Sequence, residues 1–427
     1  MPNLKHNAAL IAAGVILLQN TFAFAAPVEL SLQDSIAYAL KSNPAVQISS
    51  EDKKQSEFSV SEAKAGKMPS VSLGSRYTKQ GASQGASRSD SLNNSLSMGW
   101  QLYSGGKTEA KIKQAELGVA SSDLNVEKTR QQLVLDATTN YYSVLEAKNM
   151  LAVNEESVSN LRAHANIVQA KYQEGVAAKS EVLRSEVEVA NAEQNLIKAQ
   201  NQYELAVSSL LTTLNMDGDT EITLKGELNY LADSRTLADS ITQAKQNRPE
   251  VGQAQLSIDS ANKGIEIAES NKRPSVSLSA STGWNDSVVP KGSDKDNWSV
   301  GASASWNIFD AGVTKSQVNK AESSLAKAKL QAEQTIDAVE QEVRQSYLSM
   351  KEAEKRLQTT EVTVNKANED LYIAQETYKA GVNTNLDVFD AQLALTQAKT
   401  NHVQALYDYN VNKAKLDKAM GVKAGSL

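Results

Sequence analysis

Two periodicities alternate along the chain. Val300, Ala302, Ala304, Trp306 and Ile308 interleave with Ser299, Gly301, Ser303, Ser305 and Asn307, a spacing of two that predicts a strand with one apolar and one polar face. Leu92, Leu96, Met98, Trp100 and Leu102 do the same against Ser95, Ser97, Gly99 and Gln101. Partner strands are expected at about 71–78 and 276–284, so hairpins cover about 69–103 and 274–309 with polar connections at 79–91 and 285–296. Beyond each hairpin the apolar spacing changes to three and four. Ile112, Ala115, Val119, Val126 and Leu133, then Val318, Ala321, Leu325, Ala332 and Val339, trace seven-residue seams, and returning helices carry Val182, Val189, Leu196, Ala206 and Leu210, then Val388, Leu395, Ala405 and Tyr409. These predict long coiled-coil helices at about 107–172, 178–213, 313–378 and 385–420. At 1.5 Å per residue the longest reach roughly 100 Å.

The pattern occurs twice. Met68-Pro69-Ser70-Val71-Ser72-Leu73 recurs as Arg273-Pro274-Ser275-Val276-Ser277-Leu278, 205 positions on. From Gly106 and Gly312 onward the offset is 206, and it holds for Tyr141 with Tyr347 and Gly175 with Gly381. One residue is therefore gained inside the hairpin, and each half keeps a fixed architecture: a first repeat at 26–213, an inter-repeat segment at 214–235, a second repeat at 236–420 and a tail at 421–427. Each repeat opens with short amphipathic helices whose starts, Ser31 with Asp34 and Thr236 with Asp239, fit a capping box. Pro44 and Pro249 are expected to end the first of them.

Composition narrows the function. The chain has 427 residues, 41% hydrophobic and only 5% aromatic, too thin for one large compact core; apolar atoms must run in seams. A net charge of −6 supplies no cationic surface for nucleic acid. With no cysteine, disulfides and thiolate zinc sites are excluded. Lys5, the apolar run at 8–18 and Ala23-Phe24-Ala25 read as a signal peptide over residues 1–25. No later run approaches the 20 or so apolar residues of a membrane helix. Membrane contact, if any, comes through strands, whose length and terminal aromatics suit a barrel. Four strands cannot close one, and an open edge cannot face lipid. Other subunits must complete it; three copies would supply twelve strands.

Strand pair plus two long helices, duplicated behind a signal peptide, resembles the TolC-like family of outer-membrane efflux proteins over essentially the whole mature chain. Three motifs carry the likeness: the strand exits Leu102-Tyr103-Ser104-Gly105-Gly106 and Ile308-Phe309-Asp310-Ala311-Gly312, the turns Tyr172-x-x-Gly175-Val176 and Tyr378-x-x-Gly381-Val382, and Leu386-Asp387-Val388-Phe389-Asp390-Ala391. The resemblance implies a mainly α-helical fold with membrane β-strands. It also implies a homotrimer with a twelve-stranded barrel in the lipid of the cell outer membrane, continued into the periplasm by an α-helical tunnel. Its implied function is the exit channel of a tripartite efflux or type I secretion system, docked to a periplasmic adaptor protein and an inner-membrane transporter. It implies no enzyme activity and no cofactor. Asp387 and Asp390 become constriction acids, Gly175, Val176, Gly381 and Val382 adaptor-docking tips, and Glu181 and Tyr378 closed-state contacts. Lying three apart, the two aspartates share a helix face, yet both also suit a helix start near its positive end.

Catalytic readings find little. Of His6, His164 and His402 the first falls in the signal peptide, and two isolated helical histidines make neither triad nor metal cluster. Gly105-Gly106-Lys107-Thr108 lacks the first glycine of a phosphate loop, since Gln101 holds that position. A trimeric surface adhesin and a secreted structural coiled coil remain the alternatives.

Overall fold

The computed structural model describes residues 28–81, 89–289 and 295–424; the expected signal peptide, the centres of both hairpin loops and the end of the tail lie outside the described residues. Strand β1 (Val28–Leu30) leads into α1 (Leu32–Ser42) and α2 (Pro44–Ala65). The hairpin β2 (Ser70–Gln80) and β3 (Ser89–Tyr103) follows, then α3 (Lys107–Gln173) and α4 (Lys179–Leu214). Strand β4 (Ile222–Leu224) precedes the second series: α5 (Leu237–Asn247), α6 (Pro249–Glu269), β5 (Ser275–Val289), β6 (Lys295–Ser305), α7 (Val313–Lys379) and α8 (Asn385–Ala419). α3 and α7 each have 67 residues, the two halves matching in their longest element.

The helix starts obey their caps. Ser31 and Asp34 exchange both bonds of a capping box, and the Thr236 hydroxyl accepts from the Asp239 amide. Pro44 and Pro249 do more than stop α1 and α5: each is the first residue of the next helix, while Asn43 and Arg248 before them are extended (ψ 129° and 125°), as the ring of a following proline demands.

The hairpins join in one antiparallel sheet of order β2-β3-β5-β6. Its strands run further than expected. β2 and β5 continue to Gln80 and Val289 and β3 and β6 begin at Ser89 and Lys295, so much of the polar stretches 79–91 and 285–296 is ladder. Backbone pairing outweighs the weak strand preference of Ser, Asn and Asp. β6 conversely stops at Ser305, short of Ile308. Ser305 pairs with Ser275, the first residue of β5, and beyond it no partner strand remains.

The core lies where short elements wrap the long helices. Leu30, Ile36, Leu133, Tyr141, Leu145 and Leu214 form one buried cluster; Val343, Met350, Tyr409 and Leu416 form its counterpart under α5. The inter-repeat segment adds β4, parallel to β1 with Val28 opposite Ile222. Among the described residues no helix is long and apolar enough to cross a membrane.

Candidate functional site

At the far end from the sheet, α3 turns into α4 and α7 into α8 by the same device. Val176 N–H donates to Lys171 O and Val382 N–H to Thr377 O, both at 2.9 Å, with Gly175 and Gly381 at φ 80° and 79°. This six-to-one bond with a left-handed glycine is the Schellman ending, which satisfies the last helical carbonyls. Val176 and Val382 are left 71% and 76% exposed, apolar knobs at the two tips.

The returning helices begin at equivalent acids. Asp387 accepts from Thr384 N at 2.8 Å and from its hydroxyl at 2.7 Å. These bonds to Thr384 hold the carboxyl below its ordinary range. Glu181, 206 residues earlier, accepts from Ala178 N at 3.3 Å. Asp387 thus caps its own helix, whereas Asp390 is exposed with no hydrogen bond or ion pair among the described residues. One acid of the pair is thus engaged by its own helix start, and the other faces solvent.

Between the tips lies a buried polar knot. His164, on α3, is 3% exposed, and its Nε2 meets Asn385 Oδ1 at 2.6 Å. Asn385 donates in turn to Glu181 O and Ser185 Oγ on α4, each at 3.3 Å. The imidazole lies 4.9 Å from the Tyr378 ring and edge-on to Phe389. Burial lowers its pKa, only partly offset by the Asn385 bond. Lys171 reaches from α3 to Tyr378 O at 2.6 Å, and its ammonium sits 4.4 Å above the Tyr378 ring. Glu181 and Tyr378 line one cleft together with Lys171, Arg184 and Asn383. Burial, followed by the Glu181 carboxylate, raises the Tyr378 phenol. The knot ties four helices, α3, α4, α7 and α8, at the tip without catalytic geometry. Of its members, Asn385 and Lys171 escape a reading of the sequence for chemistry, whereas His164, set aside there as a catalytic or metal residue, keeps seam spacing with Leu161 and Val168. His402 also has a packing role, with its Nδ1 3.2 Å from the Thr360 hydroxyl on α7.

At the sheet end, Trp100 Nε1–H donates to Lys67 O (2.8 Å) and Trp306 Nε1–H to Lys272 O (3.0 Å), pinning strand exits to the ends of α2 and α6. Helix α3 then starts under a Ser104 hydroxyl that accepts from Thr108 N, and α7 under Asp310, which accepts from Thr314 N. Along the sheet one face carries Val71, Leu73, Leu96, Met98, Trp100, Leu278, Trp298 and Val300, and register sets these side by side. The opposite face is mostly hydroxyl and glycine, with Ser72 to Ser97 at 2.8 Å and Ser277 to Ser303 at 2.9 Å.

The geometry matches known proteins over nearly its full length. The family model described as outer membrane efflux protein matches residues 36–216 and 240–422. Outer membrane protein TolC of Escherichia coli K12 is 25% identical over 395 residues, covering 89% of this chain and 80% of the relative. Among solved structures, the outer membrane protein VceC of Vibrio cholerae superposes with TM-score 0.76 at 19% identity, covering 91% of this chain and 96% of the other. The CmeC outer membrane channel of Campylobacter jejuni gives 0.77 at 16%, covering 98% and 94%. All three are named as proteins of the outer membrane, CmeC as a channel, and neither an adhesin nor a secreted coiled coil finds support among them. Two duplicated hairpins and helix pairs, capped and turned alike and matched in both halves, make this chain a member of the outer membrane efflux protein family.

Proposed function

We propose that this outer-membrane efflux channel works as a homotrimer, passively conducting substrate delivered by an inner-membrane transporter through a periplasmic adaptor protein. The observation that carries the reading is the sheet: four strands with an apolar face, a hydroxyl face and two unpaired edges, β2 and β6, on helices of 67 residues. Lipid tolerates no open edge, and three copies would close twelve strands with the apolar faces outward.

Under this reading the paired tips, with Gly175, Val176, Gly381 and Val382, are the adaptor-docking surface: two apolar knobs held by rigid Schellman turns. Asp387 and Asp390 of three protomers ring the periplasmic mouth, where six carboxylates focus a negative potential. Glu181 and Tyr378 belong to the closed state, in which the knot around His164 holds both helix pairs together. The chain drives nothing itself.

The test is the conductance of purified protein in planar bilayers. Asp387→Ala with Asp390→Ala should reduce cation preference and raise single-channel conductance. Because Asp387 is a capping residue, Asp387→Asn with Asp390→Asn, which preserves much of the cap, should do the same. Unchanged conductance and selectivity in both double variants would remove the constriction.

A further inference from the structure

The hydroxyl face of the sheet carries an exception. Alternation and register place Ser70, Ser72, Gly74, Arg76 and Thr78 of β2 on that face. The neighbouring strands contribute Ser91, Asn93, Ser95, Ser97, Gly99 and Gln101 of β3, Ser275, Ser277, Ser279, Ser281 and Gly283 of β5, and Asn297, Ser299, Gly301, Ser303 and Ser305 of β6. The charges at the described positions of this face are Arg76 and, at the start of β6, Lys295, which register sets in the same row through Asn93 and Asn285; Arg76 is the one flanked along its strand by Gly74 and Thr78. Its side chain is exposed and makes no ion pair or hydrogen bond with the described residues. This cation stands on a wall of hydroxyls, three of whose cross-strand serine pairs bond each other, with no partner among the described residues to explain it.

We infer that Arg76 is a selectivity residue: three copies, one per protomer, form a positive ring inside the barrel that favours anionic solutes after they pass the acidic mouth. The inference rests on the trimeric channel proposed above and concerns the opposite end of the conduit. Arg76 lies six residues beyond Ser70, about 20 Å along the strand, well inside the sheet.

Magnitudes decide when such a ring matters. Twelve strands spaced about 4.8 Å and tilted about 40° enclose a backbone radius on the order of 12 Å. At 0.1 M salt the screening length of about 10 Å leaves the lumen axis partly shielded; at 0.01 M it is about 30 Å and the three fields overlap throughout. The Arg76 ring therefore acts at low salt.

The experiment measures zero-current potentials across planar bilayers under a tenfold KCl gradient, once centred near 10 mM and once near 1 M. Arg76→Ser, which copies the rest of the wall, should lower the anion-to-cation permeability ratio at least about twofold near 10 mM and leave it unchanged near 1 M. Arg76→Lys, keeping the charge, should match the wild type in both, and this also shows that the strand tolerates substitution there. If Arg76→Ser equals the wild type near 10 mM while the Asp387 and Asp390 double variant still shifts the potential, the Arg76 ring is refuted and the channel stands. If the wild type forms no conducting pores, the channel reading and this inference fall together.

Discussion

At the scale of single residues, a half-buried glutamate and a buried histidine give the long helices opposite responses to pH. Glu146, on α3, stands near Asp408 and Tyr407 of α8. Burial first, then the Asp408 charge, pushes its carboxyl up to about 7. The folded chain therefore holds this proton more tightly than the unfolded chain, whose carboxyl titrates near 4.3. That stability is present at acid pH and lost as pH climbs through 7. Glu146→Gln should thus change little at pH 4.5 and stabilise by on the order of 2 kcal/mol at pH 8, measured by thermal unfolding in detergent. An equal effect at both pH values would mean that Glu146 is not held neutral. His164 slopes the other way. Its pKa is lowered, so the stability of the neutral ring is whole above the ordinary value of about 6.5 and is lost as pH falls below it. Protonation would set a second cation into a knot that already contains Lys171.

At the scale of elements, the joint between sheet and helices shows how the repeats differ. Gly105 occupies φ 68°, and a Cβ there would lie 2.5 Å from Ser270 O and 3.2 Å from Arg273 Cβ, whereas the matching residue of the second repeat is Ala311, already at φ 52°. Gly105→Ala should therefore cost well above the 1–2 kcal/mol of a left-handed alanine, because backbone must also move. Ala311→Gly should stay within about 1 kcal/mol, since relieved strain and added chain entropy oppose each other. Melting temperatures of detergent-extracted protein compare the two, and equal losses would overturn the close-approach explanation. This joint also marks what a sequence makes legible. The offset between repeats, the caps at Ser31 and Asp387 and the turns at Gly175 and Gly381 are local, so residue type and spacing reveal them. Strand ends are less legible, because ladder pairing recruits polar residues such as Lys79, Asp90 and Asp286 that a hydropathy pattern assigns to loops. The knot was hidden for another reason. His164 and Asn385 are 221 residues apart, and their meeting depends on how α3, α4 and α8 pack; no local pattern around either encodes it.

At the scale of the whole molecule, the decisive feature is that the sheet cannot finish itself. Ser72, Ser97, Ser281 and Ser299 lie in one cross-strand row from β2 to β6, so the two edges of a protomer are separated by three strand spacings, about 14 Å. A disulfide needs Cα atoms roughly 4.4–6.8 Å apart. Within one chain a bridge between β2 and β6 is therefore excluded, while in a closed assembly the β2 edge of each protomer lies beside the β6 edge of its neighbour. The chain has no cysteine of its own, which leaves a clean background. Ser72→Cys combined in turn with Cys at Ser299, Gly301, Ser303 or Ser305 samples the register along that seam. At least one pair, oxidised in isolated outer membranes, should give covalent dimers and trimers on non-reducing gels, and Ser72→Cys alone should give none. Closure also predicts that the largest cross-linked product is a trimer, because three pairs of edges leave none open, whereas an open stack of sheets would produce a longer ladder. Cross-linking beyond three chains, or monomers alone for every pair, would disprove a three-chain barrel and with it the ring geometry assigned to Asp387, Asp390 and Arg76.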